Sequence, residues 1–167
     1  MEGLTIRDAT GSDATALAGV WIEGGAYHVE LDPRRFRVPN EDGLTEWMQE
    51  SLAKERDEDE VWLVAELGGE VVGDVSARIQ RPHPDAKWQL MRDLGESVLR
   101  VDSLMVREDQ RRRGVGTALM QVVEGWGRSR GATVVFLTTY YKSPASVPFY
   151  EERMGYERTS IGFWSQL

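Results

Sequence analysis

The stretch from Val106 to Leu119 reads VREDQRRRGVGTAL and joins the end of one predicted strand to the start of a predicted helix. Residues 98–106 are rich in β-forming side chains, and residues 133–139 form a second, nearly continuous apolar run. Between them, apolar side chains recur at the spacing of one helix face. They are Val115, Leu119, Val122 and Trp126. The pattern predicts a strand–turn–helix–strand unit with the turn at the N-terminus of the helix.

The turn has the composition of a phosphate-binding loop. A helix N-terminus offers unpaired backbone N–H groups and a partial positive charge, both of which favour an anion. Gly114 and Gly116 lack a Cβ where the backbone would approach that anion, and residues 111–113 are all arginine. On composition alone, the arginines favour a solvated loop. Their position beside the turn favours a pyrophosphate ligand, and neither GxxxxGK[ST] nor GxGxxG occurs in the chain.

The remaining elements follow from apolar periodicity and from glycine and proline. We predict a strand at 4–7, a helix that starts at Ser12 or Asp13 and stops at Gly24-Gly25, and a loop at 28–40. Further along, the sequence predicts a helix within 41–55, a hairpin of 61–65 with 71–75, an inserted loop at 81–96, a short helix at 147–154 and strands within 156–166.

The composition limits the classes of protein that the chain can represent. Its 167 residues fit one domain spanning 1–167. A formal charge of −8 disfavours nucleic acids and favours cationic amines as partners. The absence of cysteine and the two separated histidines argue against a metal site. No apolar run is long enough for a membrane span or an export signal, so we expect a cytoplasmic protein with no membrane partner.

Two segments resemble the GNAT acetyltransferases. Arg111-x-x-Gly114-x-Gly116 is similar to the Q/R-x-x-G-x-G/A loop of that family, which often has a further glycine where Arg112 stands. Residues 143–156 resemble the N-x-x-A-x-x-F/L-Y-x-x-x-G-F/Y segment. In that segment Tyr150, Gly155 and Tyr156 fit, while serine replaces asparagine at 143 and alanine at 146.

The resemblance implies an α/β (α+β) fold with acetyl-CoA as co-substrate. The expected architecture is a mixed central sheet of about six to seven strands, splayed between the fourth and fifth, with about four flanking helices. Cofactor contacts are expected along the strand before the turn, in the turn itself, and at the two serines. These residues are Leu104, Met105, Val106, Arg111, Arg112, Arg113, Gly114, Val115, Gly116, Thr117, Ser143 and Ser146.

The resemblance also implies direct acetyl transfer from acetyl-CoA to an amine. Tyr150 is expected to act as the general acid toward the leaving thiolate, against the alternative of a packed aromatic beside Phe149. Asp102 is expected to act as the base, because strand alternation places it with Leu104 and Val106. The alternative for Asp102 is a structural carboxylate at the sheet rupture. Acceptor contacts are expected from Trp21, Tyr27, His28 and Phe36, although a loop histidine is also commonly just exposed or hydrogen-bonded.

Three functions are compatible with these sequence features to different degrees. The first is an N-acetyltransferase acting on a small-molecule or peptide amine, with a homodimer among the assemblies common in the family. The second is a non-catalytic acyl-CoA-binding module of the same fold. The third, RNA binding through residues 111–113, is opposed by the net charge and by the lack of interleaved aromatic residues.

Overall fold

A computed structural model describes residues 2–165, and these residues contain one mixed sheet of five strands in the order β1-β2-β3-β4-β5. The first four strands pair antiparallel with their neighbours, and β5 is parallel to β4. The strands are β1 (Leu4–Asp8), β2 (Glu60–Leu67), β3 (Glu70–Gln80), β4 (Val98–Val106) and β5 (Val134–Phe136). The predicted hairpin of β2 with β3 is confirmed, with Gly68 and Gly69 at its turn.

Helices cover both faces of the sheet. They are α1 (Ala14–Leu31), α2 (Leu44–Ala53), α3 (Val115–Ser129) and a short α4 (Ser146–Pro148) that continues as a π-helical turn over Phe149–Arg153. The inserted loop at 81–96 carries two short 3-10 turns, Ala86–Trp88 and Arg92–Gly95. Within the described residues, no helix has both the length and the apolar composition needed to cross a membrane.

Two apolar cores hold these layers together. On one face, Leu119 and Met120 of α3 are fully buried against Val75 of β3 and Leu99 of β4. On the other face, Leu17 of α1 packs with α2 and with the opposite side of the sheet. The sheet is thus covered by α3 on one side and by α1 and α2 on the other.

The sheet opens between β4 and β5, as expected. Pairing is limited to Val98 with Val134, Leu99 with Val135 and Arg100 with Phe136. From residue 101 onward, β4 has no β5 partner, while it stays paired with β3 as far as Val106. The end of β4 that leads into the arginine turn therefore has a free backbone edge.

The first helix is longer than the sequence predicts. Gly24 and Gly25 do not stop α1, which continues to Leu31 and so includes Tyr27 and His28. Gly25 is needed for packing rather than for a turn, and Gly24 lies in close contact with a flexible side chain. A Cβ at Gly24 would lie 3.0 Å from Met105 Sδ, and one at Gly25 would lie 2.5 Å from Pro39 Cδ. The prediction of a loop starting at residue 28 is therefore wrong.

The sheet also has fewer strands than the six to seven expected. Residues 157–165 form no strand, and Gln166, the end of the predicted region, lies outside the described residues. A strand needs a paired edge to be stable. The adjacent β5 has only three residues, so it offers a short edge for a further strand.

Candidate active site

The turn between β4 and α3 leaves the first N–H groups of the helix unpaired. Gly114 precedes the helix with φ +92°, and no side chain within the described residues caps α3. The first hydrogen bond at this end of α3 runs from the Ala118 N–H to the Gly114 carbonyl oxygen at 2.9 Å. The N–H groups of residues 115–117 are therefore available to an anion.

The two glycines of the turn have different reasons for being glycine. Gly114 adopts a left-handed conformation that other residues rarely adopt. At Gly116, a Cβ would lie 3.5 Å from Phe149 Cζ, which is an ordinary contact. Packing within the chain does not require glycine at 116, and the absence of a Cβ there leaves room for an anion to approach the helix N-terminus. The turn therefore fits a phosphate group.

The three arginines of the turn do not play the same role. Arg111 turns inward, with its Nε donating to the Val106 carbonyl oxygen at 3.1 Å and its guanidinium 5.0 Å from the centre of the Tyr27 ring. Arg112 and Arg113 are exposed, and Arg113 bonds to Gln110 at 3.3 Å. Arg111 thus holds the turn in place, and the exposed Arg112 and Arg113 are accessible to an anion in solvent.

The end of β4 presents backbone groups to the open side of the sheet. Arg107 donates its N–H to the Val72 carbonyl oxygen on β3 at 2.9 Å. Backbone groups of alternate residues face opposite sides of a strand, so those of Leu104 and Val106 face away from β3. The Val106 carbonyl oxygen accepts from Arg111, and among the described residues the Val106 N–H has no hydrogen-bond partner.

Tyr150 lies in the π-helical turn after α4 with a free hydroxyl group. Its ring packs edge-on against Phe149, with centroids 5.0 Å apart, and stacks on Tyr156 at 6.0 Å. Within residues 2–165 its hydroxyl has no hydrogen-bond partner. Burial raises the pKa of Tyr150 to about 12, so its hydroxyl keeps its proton at neutral pH. A protonated, unpartnered phenol is chemically able to act as an acid.

Tyr156 supports the Tyr150 ring from the other side. Its hydroxyl donates to Glu124 of α3, and Glu124 also pairs with Arg128 at 2.7 Å. Burial, followed by the hydrogen bond to Glu124, raises the pKa of Tyr156. The Gly-Tyr end of the predicted motif therefore anchors the tyrosine pair to α3.

Ser143 and Ser146 form a small network with α1. The Ser143 hydroxyl oxygen is 2.9 Å from Tyr27 Oη and 3.0 Å from Ser146 Oγ, and it accepts the Ser146 N–H at 3.0 Å. Ser143 is buried, and its hydroxyl is used to start α4. The predicted contact of these serines with a cofactor stays a prediction, and their contact with each other and with Tyr27 is what the structure contains.

Asp102 is the extra residue of a β-bulge. Ser103 pairs with Ser76 and Val101 with Ala77, which leaves Asp102 unpaired and interrupts the alternation assumed from the sequence. Its carboxylate is bonded to Arg78 at 2.7 Å, and 38% of its side chain is exposed. A substrate ammonium would have to compete with this guanidinium, so the geometry favours the structural alternative for Asp102.

The predicted acceptor residues fall into two groups. Tyr27, His28 and Phe36 form an aromatic row that continues to the buried Tyr140, with Phe36 and Tyr140 centroids 5.1 Å apart. Trp21 instead lines a separate cleft of about 570 Å³ between α1 and α2, where it packs edge-on against Trp47 at 6.2 Å.

Two residues near the site were missed by the sequence analysis. Tyr140 donates its hydroxyl to Asp32 at 2.9 Å and ties the end of α1 to the segment before α4. Asp74 of β3 is fully buried beside Met105, with one oxygen bonded to Trp62 Nε1 at 2.9 Å and the other unpartnered. Burial raises the pKa of Asp74 to about 7, and the Trp62 bond opposes that shift. The sequence signal that could have revealed Asp74 was a carboxylate within the apolar run Val71-Val72-Gly73-Asp74-Val75.

Comparison with known proteins identifies the family. The family model for the acetyltransferase (GNAT) family matches residues 26–156, which include the arginine turn, β4 and Tyr150. This chain therefore belongs to the acetyltransferase (GNAT) family, a family of transferases.

The individual relatives match this chain either over only part of their length or at low sequence identity. N-acetyltransferase 8 of Mus musculus is 33% identical over 100 residues, which are 60% of this chain and 40% of that protein. The tetramutant of the BH1408 protein from Bacillus halodurans superposes with a TM-score of 0.80 at 19% identity, over 98% of this chain and 99% of that one. An aminoglycoside acetyltransferase from an uncultured soil metagenomic sample, solved with sisomicin, gives 0.67 at 17% identity, over 99% and 97% of the two chains. The two structural likenesses show a shared fold.

Proposed function

We propose that this protein is an N-acetyltransferase that moves the acetyl group of acetyl-CoA directly to an amine. The observation that carries the proposal is the pairing of two features in one site. Unpaired N–H groups at the start of α3 lie beside a strand end whose outer backbone edge is free. The first feature suits a pyrophosphate, and the second suits an extended amide-containing arm.

The start of α3 and the end of β4 bind different parts of acetyl-CoA in this proposal. The N–H groups of residues 115–117, with Arg112 and Arg113, hold the pyrophosphate. The outer edge of Leu104 and Val106 pairs with the arm, and the Val106 N–H points to the carbonyl that becomes an oxyanion. Bound acetyl-CoA supplies an activated acyl group, so no covalent enzyme intermediate is needed.

Tyr150 supplies the proton for the departing thiolate in this scheme. Its half-buried ring is held between Phe149 and Tyr156, and within residues 2–165 its hydroxyl has no hydrogen-bond partner. Asp102 remains a candidate base, acting directly or through water, and its bond to Arg78 is the argument against it. Unchanged turnover and pH profile in Asp102→Asn would remove it from the mechanism.

A CoA-release assay over a panel of amines tests the proposal. The panel contains sisomicin, a polyamine, an amino-acid amide and a peptide with a free N-terminus. It is broad because the ligand bound to a distant structural neighbour identifies no substrate for this chain. We expect acetyl-CoA-dependent CoA release with at least one amine, and acetylated product by mass spectrometry. Acetyl-CoA binding without transfer to any amine would instead support the non-catalytic acyl-CoA-binding module.

A further inference from the structure

The two ring nitrogens of His28 are not equivalent. Nδ1 lies 2.7 Å from the carbonyl oxygen of Gly24, one turn earlier in α1. A carbonyl oxygen can only accept a hydrogen bond, so in the neutral ring Nδ1 carries the hydrogen. Nε2 therefore holds the free lone pair and is the basic nitrogen of the ring.

Aromatic neighbours fix the plane of this ring. Tyr27 packs edge-on at 5.4 Å and Phe36 lies at 4.9 Å, both measured between ring centroids. The ring is half-buried rather than enclosed. A ring with a fixed plane, a fixed tautomer and partial access to solvent is prepared to exchange a proton with a bound molecule.

The segment of α1 that carries His28 touches three parts of the candidate site. Gly24 approaches Met105 of β4, where an added Cβ would lie 3.0 Å from the sulfur. Tyr27 lies under the Arg111 guanidinium of the turn and bonds to Ser143 before α4. The strand end, the turn and the segment before α4 therefore all meet α1 within the turn that ends at His28.

Within residues 2–165, no charged side chain pairs with Nε2 of His28. In this part of the chain the His28 ring forms no ion pair, its hydrogen bond is to the Gly24 carbonyl oxygen, and its ring contacts are with Tyr27 and Phe36. Farther from the ring, the Arg111 guanidinium and the Tyr140 hydroxyl are both already hydrogen-bonded. Arg111 is bonded to Val106, and Tyr140 is bonded to Asp32 below the guanidinium of Arg35. This contrasts with Asp102, whose carboxylate is bound to Arg78.

We propose that His28 is the general base of the transfer reaction, an inference that rests on the proposed function. Nε2 takes one proton from the ammonium form of the acceptor and becomes imidazolium. The neutral amine then forms the C–N bond as the C–S bond breaks, the electron pair leaves on sulfur, and Tyr150 returns a proton to it. The imidazolium proton and the extra proton on the newly acylated nitrogen are released to water, and Tyr150 is reprotonated from water.

The tautomer can be tested without any substrate. The chain has two histidines, so the ring signals of His28 in a nitrogen-15 correlation spectrum are those lost in His28→Gln, while the His83 signals remain. We expect the neutral His28 ring to be protonated at Nδ1. A ring protonated at Nε2 would overturn the assignment, whatever the enzyme assay shows.

The kinetic test compares His28→Gln with His83→Gln as the control and with Asp102→Asn as the competing base, at equal acetyl-CoA occupancy. The acceptor is the amine that gives the fastest CoA release with the wild type. We expect kcat/KM of His28→Gln to fall by about 10²-fold or more at neutral pH, with loss of the acidic limb of its pH profile. His83→Gln, the same change at the exposed second histidine, should keep both within about threefold. Calorimetry should give the same acetyl-CoA Kd for His28→Gln and the wild type.

Three outcomes would contradict a base role for His28. These are a retained rate and acidic limb in His28→Gln, loss of the limb in Asp102→Asn alone, or a tenfold weaker acetyl-CoA Kd in His28→Gln. A wild type that acetylates no amine contradicts the proposed function instead. In that case the tautomer measurement still tests whether Nε2 of His28 is the basic nitrogen.

Discussion

At the scale of single residues, the proposed role of Tyr150 depends on its hydroxyl remaining protonated. Burial raises its pKa to about 12, so the hydroxyl stays protonated across the range in which the protein is assayed. Tyr150→Phe should lower kcat by about 10²-fold or more, because the leaving thiolate loses its acid, and should leave the acetyl-CoA Kd nearly unchanged. The exposed Tyr141 provides the control, since Tyr141→Phe should keep full activity.

The same pKa predicts the shape of the alkaline pH profile. Deprotonation of Tyr150 should not lower kcat anywhere between neutral pH and about pH 11, because its folded-state pKa is about 12. An alkaline decline centred below pH 10 that disappears in Tyr150→Phe would contradict the assignment of this environment.

Asp74 makes stability depend on pH. Its folded-state pKa is raised from 3.8 to about 7, so the folded protein binds more protons than the unfolded chain between these values. The contribution of Asp74 to the free energy of unfolding is therefore complete below about pH 4 and is lost as pH rises to about 7. The slope approaches about 1.4 kcal/mol per pH unit within that window.

Urea unfolding of Asp74→Asn across pH 4 to 8 tests this prediction. The wild type should lose stability relative to the variant as pH rises to about 7, and the difference should then level off. An exposed aspartate changed in the same way, Asp42→Asn, should show no such trend. Parallel stability curves for wild type and Asp74→Asn would mean that Asp74 does not titrate in this range.

At the scale of elements, the turn before α3 contains a strained residue. Arg112 has φ +60°, a left-handed conformation that costs a side-chain-bearing residue about 1–2 kcal/mol. Arg112→Gly should therefore have a free energy of unfolding about 1 kcal/mol higher than Arg113→Gly. The neighbour is a matched control because it loses the same charge and gains the same freedom in the unfolded chain, without a left-handed φ. Equal stability of the two variants would show that Arg112 carries no strain.

The predictability of each element depends on whether its signal is local. The turn of the β2–β3 hairpin was predictable, because Gly68 and Gly69 adopt the positive φ values that the turn requires. The end of α1 was not, because Gly24 and Gly25 make room for Met105 and Pro39, which are distant in sequence. The same long-range packing moves His28 from a predicted loop into a helix.

At the scale of the whole molecule, the sequence predicts the layers better than the site. The arginine turn, the strand before it and Tyr150 were predicted from contiguous motifs, and the structure places them in consecutive or contacting elements. The bulge at Asp102 and its bond to Arg78 depend on the register of β3 with β4, which no local pattern records. The choice of a proposed base therefore depends on the structure rather than on a sequence motif.

Ligand binding should also be visible in the stability of the whole chain. If acetyl-CoA binds only the folded protein, at one hundred times its Kd it should add about 2.7 kcal/mol to the free energy of unfolding. Desulfo-CoA, which keeps the pyrophosphate, should stabilise the protein similarly, and acetate alone should not. Absence of any shift with acetyl-CoA would contradict a preformed site in the turn.

Calorimetric titration with acetyl-CoA tests the central claim most directly. The wild type should bind with a micromolar Kd, and Gly114→Asp/Gly116→Asp should not bind, because two carboxylates would occupy the space and reverse the charge at the start of α3. Gly19→Asp/Gly125→Asp adds the same two charges at glycines with open space around them and should bind like the wild type. Absence of binding by the folded wild type, or equal binding by the Gly114→Asp/Gly116→Asp variant, would contradict the assignment of the turn as the acetyl-CoA site.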